Sequence, residues 1–332
     1  MEYIGALLRC IFRKERKLMS IRDRLKSNIE NVIIGKGEII DLVLTAFIAG
    51  GHVLLEDMPG TGKTMLAKAL ARSVDAPFAR VQMTPDLLPS DVTGLNVFNA
   101  KSGEFEFHEG PVFTNILLAD EINRATPRTQ ASLLECMEEK QVTIDGETRK
   151  LDTPFFVIAT QNPIETSGTF PLPEAQLDRF MMKLSMGAIE AKQERNILEH
   201  YRLNNPLEEI EAVADIEEIR QMQKSYREVY VHPELLDYIQ KLCMATRNKK
   251  EIRVGVSVRA TLALMRASQS YACLMERDYV IPEDIQKLAV PVLAHRLVLE
   301  GSYLLQDTAK SHIESIIKET EVPTEDWGSM KG

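Results

Sequence analysis

The chain has 332 residues, 44% of them hydrophobic and 27% charged, a globular composition with length for roughly two domains of about 150 residues. Forty basic against 49 acidic side chains give a formal charge of −9, which argues against a fold-wide attraction to nucleic acid while leaving room for a local basic groove. Cys10, Cys136, Cys243 and Cys273 form no CxxC pair and have no His at zinc-finger spacing, so neither structural zinc nor a disulfide framework is expected, and a reducing cytoplasm is the natural compartment. Residues 1–18 join an apolar run broken by Arg9 to a basic cluster of Arg13, Lys14, Arg16 and Lys17. The run is too short to cross a bilayer and precedes its charges, the reverse of a secretory signal. An upstream translation start ahead of Met19, a disordered tail and an amphipathic membrane-surface helix all remain open for it.

From about residue 19 to 190, short apolar runs alternate with helical patterns. The predicted strands are His52–Leu55, Phe78–Val81, Asn115–Ala119 and Phe155–Ala159. Near-continuous apolar strands joined by helices indicate a parallel sheet covered on both faces. Two hairpins interrupt the pattern, one turning at Lys101-Ser102-Gly103 and one at Asp145-Gly146, the latter a strong turn signal. After Gly187 helical periodicity takes over in Glu190–Tyr201, Glu217–Tyr226, Pro233–Arg247, Val258–Glu276 and Pro282–His295. No apolar stretch reaches membrane-spanning length, and no repeat period is visible.

The segment running from Leu54 through Asp57-Met58-Pro59-Gly60-Thr61-Gly62-Lys63-Thr64 is a buried strand, a glycine-rich turn and the start of an amphipathic helix. A triphosphate needs clustered backbone N–H donors without side-chain bulk, which Gly60 and Gly62 provide. Lys63 reaches the β- and γ-phosphates in this reading, and Thr64 places its hydroxyl on Mg²⁺. Asp57 stands where the strict pattern has Gly. The strand ending in Asp120-Glu121 delivers two carboxylates to the carboxyl edge of the sheet, where Asp120 can hold Mg²⁺ and Glu121 can deprotonate a water. If Phe155–Ala159 lies between those two strands, Asn162 can meet the γ-phosphate or the attacking water; otherwise a strand-end Asn is a turn residue. Arg179 and Arg259 are each either a phosphate-facing arginine, which a neighbouring subunit can supply, or a surface ion-pair residue.

The ordered series EDMPGTGKT, ILLADEINRA, ATQNP, PLPEAQLDRF and GVSVRA, with RVQMTPDLLPSDVTG and YVIPEDIQKLAVPVLAHRLVL, resembles the MoxR family of AAA+ ATPases over about residues 19–300. The resemblance implies an αβα P-loop core at 19–190, a smaller helical lid at 191–320 and a tail at 321–332. It further implies ATP and Mg²⁺ as ligands and a homo-oligomeric ring, usually a hexamer. Carried over by position, Pro59, Gly60, Thr61, Gly62, Lys63, Thr64 and Met65 form the nucleotide loop, Thr64 and Asp120 the metal site, Glu121 the catalytic base and Asn162 sensor 1. Arg179 corresponds to the arginine finger, Arg259 to sensor 2, and Ile34 with Gly35 to the adenine-side segment. The hairpin near Lys101 resembles the helix-2 insert and that at Asp145 the pre-sensor hairpin. Lys36 replaces a common Gln and Val258 a common Pro.

The expected activity is ATP-driven remodelling of a separate partner protein, in maturation or metal-cofactor insertion, with partners that often carry a von Willebrand factor A domain. A metal-chelatase motor subunit is the alternative within the same subgroup. A nucleic-acid motor fits the acidic balance less well, and Asn248-Lys249-Lys250-Glu251 lacks the Asp of a guanine-reading motif. Residues 1–18 carry +3 and the remainder −12, so the body is expected to gather positive charge at the nucleotide through Lys63, Arg179 and Arg259.

Overall fold

The computed structural model describes residues 19–164, 168–300, 306–324 and 327. The readings of residues 1–18, Cys10 among them, lie outside the described residues. In chain order the strands of the α/β region are β1 (Val53–Glu56), β2 (Phe78–Gln82), β3 (Gly94–Asn99), β4 (Glu104–Glu109), β5 (Ile116–Asp120), β6 (Gln141–Ile144), β7 (Glu147–Lys150), β8 (Phe156–Gln161) and β9 (Met182–Leu184). Five of them form one sheet in the order β2-β5-β8-β1-β9, with every pair parallel.

Side-chain alternation explains why the central strands read as uninterrupted apolar runs. Val53, Leu55, Ile116, Leu118, Phe156 and Ile158 enter one hydrophobic core, while Leu54, Leu117, Ala119, Val157 and Ala159 enter a second core on the other face. Every position is therefore buried, and period two disappears from the hydrophobicity pattern. The first core continues into the C-terminal helices, where Tyr226, Tyr238, Leu264 and Leu288 join it. Polar links reinforce that junction: the Tyr226 hydroxyl donates to the Ala49 carbonyl at 3.1 Å and Ser270 donates to the Thr45 carbonyl at 2.8 Å.

The edge strand β9 was not among the predicted strands. It has three residues with Lys183 in the middle, too short for a periodicity signal. Pairing with β1 recruits it, and Lys183 forms an ion pair with Glu56 at 2.6 Å. Both hairpins are present, β3 with β4 and β6 with β7, as separate antiparallel pairs. They touch each other: the Asn96 amide donates to Asp145 at 2.7 Å, and the Arg149 guanidinium lies 4.2 Å from the Phe107 ring centre.

The predicted helices of the C-terminal region form at Ala191–His200, Ile216–Ser225, Pro233–Asn248, Val258–Leu274 and Pro282–Leu293, followed by Gln306–Glu319. A short antiparallel pair, Ile252–Val254 with Val298–Leu299, accompanies them. The missing Pro at Val258 does not disturb the helix start, because Ser257 caps it by accepting from the Ala260 amide. Among the described residues no helix is long and apolar enough to cross a membrane.

Candidate nucleotide site

The carboxyl ends of β1, β5 and β8 converge on a cavity of about 350 Å³ lined by Pro59 to Met65, Asp120, Glu121, Thr160 and Asn162. The turn after β1 exists because Gly60 and Gly62 adopt φ of +84° and +91°, a region that Cβ-bearing residues rarely enter. A Cβ on Gly60 would meet nothing within 4 Å and one on Gly62 only Ile33 Cδ1 at 3.6 Å, so backbone geometry, not crowding, requires both glycines. The Lys63–Ser73 helix begins directly after Gly62. Its first N–H groups have no intrahelical partner, so the loop and helix end together make an anion-binding surface.

Lys63 is folded back on its own loop, donating to the Asp57 carbonyl at 2.7 Å and the Met58 carbonyl at 3.3 Å. Burial lowers its pKa, opposed by the nearby Asp57, Asp120 and Glu121 carboxylates. Asp57, the departure from the strict motif, is buried for a reason the sequence did not disclose. Its carboxylate accepts from the Ser185 hydroxyl at 2.6 Å and from the Met186 amide at 2.6 Å, fastening the base of the loop to the chain that leaves β9.

The order of strands settles the condition attached to Asn162, because β8 lies between β1 and β5. Asn162 is buried and lines the cavity, and its Oδ1 also accepts from the Ile164 amide at 3.2 Å. The turn role and the cavity role therefore coexist. At the end of β5, Asp120 pairs with Arg80 at 2.7 Å. Glu121 accepts from the Gln82 amide at 2.9 Å and pairs with Arg124 at 3.1 Å. Glu121 sits in the left-handed region, with φ 58° and ψ 52°.

Four of the residues carried over lie elsewhere. Ile34 and Gly35 are not part of the cavity lining; Ile33 is the residue that a Cβ on Gly62 would meet, and the Gly35 carbonyl accepts from Gln193 at 3.4 Å. Lys36 reaches the Ala188 carbonyl at 2.9 Å. Arg179 and Arg259 line a second cavity of about 580 Å³, together with His52, Glu138, Lys140, Arg227, Arg266 and Arg296. This cavity opens at the amino ends of β1 and β9, across the sheet from the phosphate loop. Positive charge in one chain is thus not gathered at the nucleotide loop as expected, but in the second cavity.

The two arginines share one carboxylate. Glu138 pairs with Arg259 at 2.5 Å and with Arg179 at 3.1 Å. Behind them, the buried Arg296 pairs with Asp178 at 2.7 Å and donates to the Phe180 carbonyl at 2.8 Å, fixing the segment that carries Arg179. Burial lowers the Arg296 pKa to about 10 against the opposing pull of Asp178. His52 is neutral at the same edge: its Nδ1 accepts from the Val157 amide at 3.0 Å while Nε2 faces the Met137 carbonyl at 3.0 Å, and burial lowers its pKa to about 4.

A P-loop strand, an acidic strand end and a polar strand between them define an AAA-type nucleotide-binding fold. Residues 52–182 match the model of the ATPase family associated with various cellular activities, and residues 244–319 match the AAA lid domain. Chaperone MoxR1 of Mycobacterium tuberculosis is 36% identical over 307 residues, covering 90% of this chain and 81% of its own length. Bacillus subtilis YeaC is 48% identical over 299 residues, covering 90% and 93% of the two chains. A crystal structure of a candidate ATPase from Cytophaga hutchinsonii superposes with a TM-score of 0.83 at 35% identity, over 98% of this chain and 100% of that one. The chain belongs to the MoxR family of AAA+ ATPases.

Proposed function

We propose that this chain hydrolyses ATP with Mg²⁺ and uses the cycle to remodel a partner protein, as a cytoplasmic MoxR-type chaperone that assembles head to tail into a hexameric ring. The observation that carries the reading is the convergence of Lys63, Thr64, Asp120, Glu121 and Asn162 on one cavity at the carboxyl edge of a sheet in which β8 separates β1 from β5. In the proposed division, residues 19–190 form the nucleotide core and 191–320 the lid.

The donor set fits a metal-bound triphosphate. Gly60 and Gly62 leave the loop amides uncovered, Lys63 can exchange two carbonyl contacts for phosphate oxygens, and Asp120 can exchange Arg80 for a metal or its water shell. Thr64 and Asp120 would hold Mg²⁺, which when bound neutralises charge on the β- and γ-phosphates. Glu121 then accepts a proton from the attacking water, and the amide of Asn162 orients that water or the γ-phosphate.

Arg179 and Arg259 act in trans in this reading. They line a cavity at the far edge of the sheet, paired with Glu138. A head-to-tail contact brings one copy's arginine cavity against the next copy's phosphate loop, and such heterologous contacts close into rings. Subunit mixing tests both the chemistry and the assembly. Arg179→Ala and Glu121→Gln subunits are each expected to hydrolyse ATP poorly, and a mixture is expected to regain activity where an intact Arg179 faces an intact Glu121. No regain over any mixing ratio would refute action in trans, and an active Glu121→Gln homo-oligomer would refute the role of Glu121.

A further inference from the structure

Thr160 was absent from the sequence-derived site, yet it stands at the centre of the catalytic geometry. The pairing of Ala119 with Ala159 puts Thr160 one step further along β8, beside Asp120, and Leu55 of β1 pairs with it from the other side. Its side chain is buried at 1% exposure. The hydroxyl donates to Asp120 Oδ1 at 2.6 Å and accepts from the Glu121 amide at 2.8 Å. One oxygen thus ties the metal-site carboxylate to the backbone of the catalytic base. That backbone is left-handed at φ 58°, a conformation a residue with a Cβ keeps only where its surroundings impose it. The other oxygen of Asp120 faces Arg80, whose side chain is 46% exposed, so the Thr160 bond is the sheltered one of the two.

We propose that the Thr160 hydroxyl is a positioning group for hydrolysis, holding Asp120 in its rotamer and Glu121 in its left-handed turn so that metal site and base keep a fixed separation. The proposal rests on the ATPase reading above. Thr is suited to the task because its hydroxyl can donate and accept at once, and its β-branch limits χ1 on a strand. Valine has the same shape and can do neither.

Thr160→Val, Thr160→Ser and Thr160→Cys form a graded series, the Cys variant keeping a weakly bonding group should Val fail to fold. Thr160→Val is expected to bind a fluorescent ATP analogue within about threefold of the parent while kcat falls on the order of 10²-fold, the effect of a small misplacement of a catalytic group. Thr160→Ser is expected to stay within about threefold in both, with Cys between Ser and Val. In the nucleotide-free protein, hydrogen exchange at the Glu121 amide is expected to accelerate in Thr160→Val and to remain slow in Thr160→Ser. Unchanged Glu121 exchange in Thr160→Val, near-parental kcat in Thr160→Val, or a Ser variant as impaired as Val would overturn the proposal. Should the parent protein show no ATP hydrolysis, the ATPase reading fails by itself, and the exchange measurement still judges the hydroxyl's role.

Discussion

The phosphate-loop cavity and the arginine cavity lie at opposite edges of one sheet and are made of different materials. The first is lined by the Pro59–Met65 loop together with Asp120, Glu121, Thr160 and Asn162, and its Lys63 is folded back on the Asp57 and Met58 carbonyls. The second is lined by Lys140, Arg179, Arg227, Arg259, Arg266 and Arg296 against Glu138 and Asp178. The loop of the first is shaped by local chain geometry, two left-handed glycines and a helix start, to which the ends of β5 and β8 add Asp120, Glu121, Thr160 and Asn162. The second is fixed by side chains from distant segments: the Pro127–Glu139 helix supplies Glu138, the chain before β9 supplies Arg179, and the C-terminal region supplies Arg259 and Arg296. In the proposed reading each carries half of what phosphoryl transfer requires, the first a cradle with a base and the second the cations that stabilise charge in the transition state.

Substitutions at the two edges should therefore fail in different ways. The largest effect is expected for Arg179→Ala, with hydrolysis falling about 10³- to 10⁵-fold while nucleotide binding persists; steady-state kinetics beside an ATP-binding titration decide it, and lost binding would place Arg179 in its own chain's site. Glu121→Gln is expected to slow hydrolysis about 10²- to 10⁴-fold and still bind ATP, whereas Lys63→Ala is expected to lose binding. Equal loss of binding in these two would erase the distinction between cradle and base.

A smaller effect concerns stability at the arginine edge. Buried neutral His52 has its pKa lowered from 6.5 to about 4, so between these values the unfolded chain takes up a proton that the folded chain refuses. The contribution is complete above pH 6.5 and declines as pH falls towards 4, by at most about 3 kcal/mol. Urea midpoints across that window should fall with pH, and His52→Gln should flatten the slope. At the opposite edge Asp57→Asn weakens charged hydrogen bonds to Ser185 and Met186, an expected loss of about 2 kcal/mol. A Tm unchanged from the parent's would deny Asp57 its role in fastening the loop.

Legibility in the sequence followed how local each interaction is. The turn from Pro59 to Met65 and the apolar strand ending in Asp120-Glu121 were readable because their local conformation depends on neighbours in the chain. Thr160 was not, because its importance lies in bonds to Asp120 and Glu121 on the adjacent strand, a relation without a spacing signature. Asp57 read as a departure from a motif, and only its bonds to Ser185 and Met186 explain it. The edge strand β9 escaped notice because three residues with a central lysine carry no periodicity.

By itself the sequence determined the αβα core with its helical successor, the phosphate loop and the acidic strand end, since apolar runs, glycine turns and caps act over a few residues. The tertiary structure decided that β8 lies between β1 and β5, that the Thr160 hydroxyl ties the Asp120 carboxylate to the Glu121 backbone amide, and that Arg179 and Arg259 meet on Glu138 away from their own phosphate loop. Strand order and cross-strand contacts arise from packing two cores at once across the sheet, and a linear pattern does not encode which distant partners that packing selects.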